Sequence, residues 1–231
     1  MKTKSIIRSA LTLFALPMLL AATSLLAETL PLSKTTFIRS GVYSDKNYDK
    51  GGTLEVAARG GNNSRKIYLQ AEVNELLSTR QQFSESKLIL MLFSRPLLGE
   101  PSGKVNFNVY GVVSPEAFDV ADINWGNAPE NDDASATDVL ATGTVMLGAI
   151  TINTNSVEPE QLVSLDGKNL DVYLNWVAGK TGDVYHTGAS NGVASFIITC
   201  SGSQHDAGVT FYSNSQPVER RPTLSYQLKP N

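Results

Sequence analysis

The sequence predicts an all-β protein, an antiparallel β-sandwich of the jelly-roll type, on three observations. Short segments rich in β-branched and aromatic residues far outnumber helix-like ones along the 231 residues. Clusters of Gly, Asn, Asp and Ser separate them, and these residue types favour turns. One segment alternates strictly: Val105, Phe107 and Val109 interleave with Asn106, Asn108 and Tyr110, the period of a strand with one face inward. Nine or more short strands with such breaks fit two packed sheets.

In chain order, residues 1–27 form a secretory leader. Lys2, Lys4 and Arg8 supply its positive start, Ala10–Ala22 its apolar run, and Ala22 and Ala27 its cleavage points. The run is too short to cross a bilayer. The expectation is a secreted protein, extracellular or periplasmic, with no membrane span in the mature chain and one β-sandwich domain over residues 28–231. Strands are then predicted at Thr35–Arg39, Thr53–Ala57 and Lys66–Val73, with a turn at Asp45–Tyr48 and a Gly-Asn-Asn loop before Arg65. Lys87–Phe93 and Lys104–Val112 follow, and then a Gly-interrupted strand around Thr142–Ile152. Leu170–Val177, Val193–Cys200, Val209–Tyr212 and Thr223–Leu228 complete the set. Helical turns are predicted only at Asn74–Arg80 and Ser114–Phe118, and Asn127–Ser156 is the long irregular part.

Charge narrows the partners. Without the leader, 16 basic residues face 22 acidic ones, and all of the deficit falls after Pro129. Nucleic acid binding needs a concentrated basic surface, and none is present. An acidic ligand is expected at the N-terminal half. Cys200 is the lone cysteine, ends an apolar run and reads as a buried hydrophobe. His186 and His205, nineteen positions apart and without His or Cys neighbours, make no zinc pattern. No nucleophile elbow, phosphate loop or dinucleotide fingerprint occurs. No cofactor or catalytic residue is therefore assigned. Structural calcium is kept as an alternative at Asp45 and Asp49, or at Glu130, Asp132 and Asp133, where a solvated loop is the simpler reading.

Two constellations are candidates for ligand binding. In the turn Tyr43-Ser44-Asp45-Lys46-Asn47-Tyr48, Asp45 and Asn47 suit the backbone geometry, and Tyr48 packs on the end of the sandwich in the structural reading. In the functional reading Tyr43 or Tyr48 offers a ring to the apolar C–H face of a sugar. The second set is Arg39, Lys46, Arg59, Arg65 and Lys66. Alternation places Arg39 on the face of Phe37 with Ile38 opposite. Adjacent Arg65 and Lys66 diverge to opposite faces, so one of them lines a groove. Arginine forks match carboxylates at two points, and surface pairing with Glu55 and Glu72 is the plainer alternative. Trp125, in the segment Ile123–Pro129, reads as a core plug.

The stretch Thr35–Val73, the segment INWGNAP at Ile123–Pro129 and VTFYSNSQPVERRPTLSY at Val209–Tyr226 occur in this order. Together they resemble the DNRLRE (disaggregatase-related) family of extracellular β-sandwich modules. The resemblance implies carbohydrate binding without catalysis, in the manner of modules attached to alginate-degrading enzymes, and an anionic polysaccharide such as alginate as partner. Where that family carries an acidic residue after the Ser-containing strand, this chain has Asn214-Ser215-Gln216. A structural or adhesive envelope protein with a surface-assembly partner is the second reading, and a small polysaccharide lyase the third.

Overall fold

A computed structural model describes residues 27–59, 63–73, 80–94, 104–114, 118–153, 155–188, 190–201 and 207–230. The leader before residue 27, most of the helical turns predicted at 74–80 and 114–118, and His205 lie outside the described residues. The strands are β1 (Glu28–Pro31), β2 (Lys34–Arg39), β3 (Thr53–Ala58), β4 (Arg65–Glu72), β5 (Gln81–Ser94), β6 (Lys104–Val112), β7 (Thr144–Asn153), β8 (Leu162–Asp166), β9 (Val193–Cys200), β10 (Ala207–Tyr212) and β11 (Thr223–Pro230). A helix, α1 (Lys168–Val177), stands between β8 and β9.

All strand pairs are antiparallel. One side of the molecule runs β2-β4-β9-β6-β7. The other is built on the long β5, which pairs with β8, β10 and β11. Beyond these, β1 adds to β11 and β3 adds to β10. The two sides join where β3 meets β4 at Ala57↔Arg65, so the sheet curls round on itself. Inward residues of both sides, among them Val56, Leu69, Leu90, Phe107, Phe196 and Phe211, form one core. Each such side chain contributes roughly 1.5–3 kcal/mol on burial. The alternation read in β6 holds: Val105, Phe107 and Val109 are buried, while Asn106, Asn108 and Tyr110 face outward. In β7 the glycine interruption is a bulge, where the register with β6 shifts beside Gly148, whose φ is +153°.

One predicted strand is corrected. Leu170–Val177 belongs to α1. Leu170, Val172, Leu174 and Trp176 alternate as a strand does, but Leu170, Tyr173, Leu174 and Val177 also recur at helical spacing, and these four are buried. The polar residues decide between the two periods. Asn175, inside the apolar face, hydrogen-bonds both the N–H and the C=O of Phe83, and the Asp171 carboxylate accepts the N–H groups of Glu85 and Ser86. The buried Tyr173 hydroxyl accepts the N–H of Ser195 and shares its one proton between the carbonyls of Ser195 at 2.8 Å and Val112 at 3.2 Å. Its ring lies against Gly111, where a Cβ would come within 2.7 Å. Sequence patterning also passed over β1 and β8, both mostly exposed and therefore without a clean apolar period.

A second, smaller core lies on the outer face of the β2-β4-β9-β6 side. Ile38, Tyr68, Ile197 and Val112 project from those strands and are covered by Val120, Ile123, Trp125 and Ala128 from the segment after β6. The segment from Val120 to Ala128 is thus a packed cap.

Candidate functional site

Strand β4 hands its first two residues to opposite faces, as alternation requires. Lys66 points into the outer core and is fully buried. Its ammonium donates to Asn131 Oδ1 at 2.7 Å, to the carbonyl of Asp132 at 2.9 Å and to that of Asp138 at 2.6 Å. It also sits 4.7 Å from the centre of the Trp125 ring. Burial pulls its pKa down to about 8, against the upward pull of Asp132, Asp138 and Asp133. All three donors are spent inside the fold, so Lys66 anchors the cap rather than facing a ligand. The backbone of the acidic segment wraps this cation, while Glu130, Asp132 and Asp133 keep partly or fully exposed side chains, as the solvated-loop reading expects. Trp125 is the plug expected of it, 6% exposed, with its indole N–H donated to the carbonyl of Asp133. Tyr68 adds a hydroxyl bond to the carbonyl of Pro129, and burial raises its pKa well above the usual range.

The turn between β2 and β3 is tied to the same cap. Asn47 donates its amide to the carbonyls of Val120 and Ile123 and accepts the N–H of Asp49, and the Trp125 N–H reaches the carbonyl of Ser44. Asn47 therefore locks the turn as expected. Tyr48 stacks on Phe37, with ring centres 4.3 Å apart, and packs against the main core. Tyr43 has a different environment. The Arg39 guanidinium lies 3.9 Å from its ring centre and the Lys46 ammonium 5.0 Å. Beside it Val42 is 80% exposed.

The other half of the site is cationic. Arg39 lies directly across from Arg65 in the β2–β4 register. Arg59, at the end of β3, is close enough for Arg39 and Arg59 both to depress the pKa of Arg65, after burial, the largest cause. Glu55, one strand over, opposes this shift and pairs with Arg65 at 2.7 Å. Arg39 donates from Nε and Nη2 to Asn63 Oδ1. Among the described residues, the buried Nε atoms of Arg59 and Arg65 have no hydrogen-bond partner. Like charges opposed across a strand pair are destabilising, and an unmet buried donor costs about 1–3 kcal/mol. Three guanidinium groups thus stand together beside a tyrosine ring and one carboxylate.

The structure thus brings Arg39, Tyr43, Lys46, Arg59 and Arg65 to one end of the sandwich and leaves Lys66 and Tyr48 in packing roles. The plainer reading of the basic set, pairing with Glu55, holds for Arg65, which forms that ion pair within the cluster. The pairing of Arg39 with Asn63 was not foreseen, since loop closure brings the two together. At the far motif, Asn214 occupies the place of the expected acid; it donates to the carbonyl of Ser33 and exchanges hydrogen bonds with Thr35. Among the described residues, no group of three or more His, Cys, Asp or Glu side chains is arranged to hold a metal ion. No helix there is long and apolar enough to cross a membrane.

Residues 27–154 match the model of carbohydrate-binding module family 96. The match takes in β1 to β7, the turn and the cap, and stops before β8. No curated protein matches the chain.

Proposed function

The chain belongs to carbohydrate-binding module family 96, and from that premise we propose that it binds an acidic polysaccharide, alginate being the type ligand, without cleaving it. In this reading the module works outside the cytoplasm, as its leader-like start suggests, and its alginate-lyase-associated DNRLRE resemblance belongs to the same picture. One observation carries the choice of an anionic glycan. Arg39, Arg59 and Arg65 converge with a single carboxylate among them, and two of their Nε donors lack a partner. A uronate carboxylate supplies the missing negative charge and acceptors, with two-point geometry suited to guanidinium. The Tyr43 ring, held by Arg39 and Lys46, then lies where the apolar face of the next sugar ring can rest.

The test is calorimetric titration of the mature chain with oligo-uronates and with neutral oligosaccharides, at low and high salt. The uronates should bind more tightly, and their affinity should fall as salt rises, because exposed charges are screened over about 10 Å at 0.1 M. Uronate affinity that ignores both salt and Arg39→Ala removes the arginine end from the site.

A further inference from the structure

Seven buried side-chain atoms among the described residues lack a hydrogen-bond partner, and they are not scattered. Two belong to the arginine cluster. Four others, Trp176 Nε1, Thr181 Oγ1, Thr187 Oγ1 and Ser114 Oγ, belong to residues that line two neighbouring depressions sharing Trp176 and Ser190. Ser114 and Thr187 line the smaller, which has room for about one water. The larger, lined by Thr181, is a cleft of about 440 Å³ formed by the end of α1 and loop residues that include Gly182, Asp183, Gly188 and Ser190. That volume falls within the roughly 300–1,000 Å³ of small-molecule sites.

The lining has a definite chemistry. Trp176 is 6% exposed, and Tyr185 props it edge-on with ring centres 5.2 Å apart. Its indole N–H is a donor without an acceptor, and the threonine and serine hydroxyls both donate and accept. Asp183 is the one charged residue of the larger cleft. Its two carboxylate oxygens are taken by the N–H groups of Thr187 and Gly188, which hold its pKa down and shape the loop. Among the described residues, no cation lines either depression. An anionic ligand would meet a carboxylate without compensation, whereas an uncharged ligand rich in hydroxyls would satisfy Trp176 Nε1 and Thr181 Oγ1 and cover the apolar part of the indole.

We infer that this cleft is a second saccharide subsite, selective for an uncharged sugar and separate from the arginine end. It lies beyond the residues matched to the family, and it stands or falls independently of whether the arginine end takes uronates. The protein would then grip a mixed polysaccharide, or two different chains, at two points.

Two tryptophans give two indole N–H signals in a proton–nitrogen spectrum of the mature chain, and Trp176→Phe identifies which belongs to Trp176. Maltose, cellobiose, mannobiose and galactobiose are titrated into the tens of millimolar range. The expected result is saturable movement of the Trp176 signal with at least one of them, no movement of the Trp125 signal, and none of the Trp176 signal with oligo-uronates. Thr181→Val, which keeps the shape and removes the hydroxyl that lines the cleft, should weaken the binding by about tenfold, the worth of one hydrogen bond. Thr181→Ala takes its place if that variant loses spectral dispersion. A Trp176 signal that stays fixed with all four sugars, or moves equally with uronates, overturns the assignment. So does undiminished binding in the hydroxyl variants.

Discussion

Two of the cations that lie over aromatic rings, Arg39 and Lys66, serve opposite ends. At the rim of the sandwich Arg39 lies 3.9 Å from the centre of Tyr43; inside the outer core Lys66 lies 4.7 Å from the centre of Trp125. The Lys66 ammonium is saturated by three acceptors, shielded from water and accompanied by Asp132, Asp133 and Asp138. Arg39 is half-buried, shares a single amide oxygen with its own loop and faces another arginine across the strand pair. A cation–aromatic contact by itself therefore says little about function. What distinguishes the two is the surplus: the buried pair has no donor left over, while the rim cluster carries more positive charge and more donors than its own fold uses.

The largest effect that tests this contrast is Lys66→Met. It keeps the length of the side chain but leaves Asn131 and two carbonyls without their donor, and a buried polar group left unsatisfied typically costs about 1–3 kcal/mol. Denaturant melts should show that loss. A change within about 0.5 kcal/mol, the range of ordinary surface substitutions, would make Lys66 a bystander and erase the distinction. Arg39→Ala should act on the other axis, reducing oligo-uronate affinity by about 1.5–3 kcal/mol, the worth of a hydrogen bond to a charged group, as read by calorimetry.

The pH dependence sharpens the buried side. Lys66 releases its proton at about 8 in the folded protein and near its ordinary value of 10.5 when unfolded. Between those values the unfolded chain holds more protons, so the contribution of this group to stability rises with pH. Wild type minus Lys66→Met should show that rise in melts taken from pH 7.5 to 10; a flat difference would mean that Lys66 stays charged. The smallest expected effect is the stability of Arg39→Ala itself. Relief of the cross-strand repulsion with Arg65, worth roughly 0.2–1 kcal/mol, offsets the lost contact with Asn63. The melting midpoint should therefore hold or rise slightly even as binding falls. A large drop in stability would make Arg39 a structural residue like Lys66.

Much of the sandwich was legible because strand periodicity survives in a chain with one face inward. Lys104–Val112 and Val193–Cys200 were bounded from sequence as they stand in the structure. Leu170–Val177 failed because its apolar residues satisfy two periods at once, and the arbiter, Asn175 against the backbone of Phe83, is 92 positions away. The basic residues were legible as a set. Their separation into anchor and rim was not, since Arg65 and Lys66 are neighbours in sequence and differ only in the face to which the pleat assigns them.

By itself, then, the sequence determined the all-β class, the order of most strands, the turn chemistry at Asn47 and the plug at Trp125. These follow from local periodicity and residue type, which act over a few positions. Tertiary structure decided where the charges stand. The curl that brings β3 to β4 gathers Arg39, Arg59 and Arg65, and the cap after β6 folds the Asn131 amide and the carbonyls of Asp132 and Asp138 around Lys66. Both arrangements join residues tens of positions apart, and the energy of a charge depends on burial and partners that only the assembled fold provides.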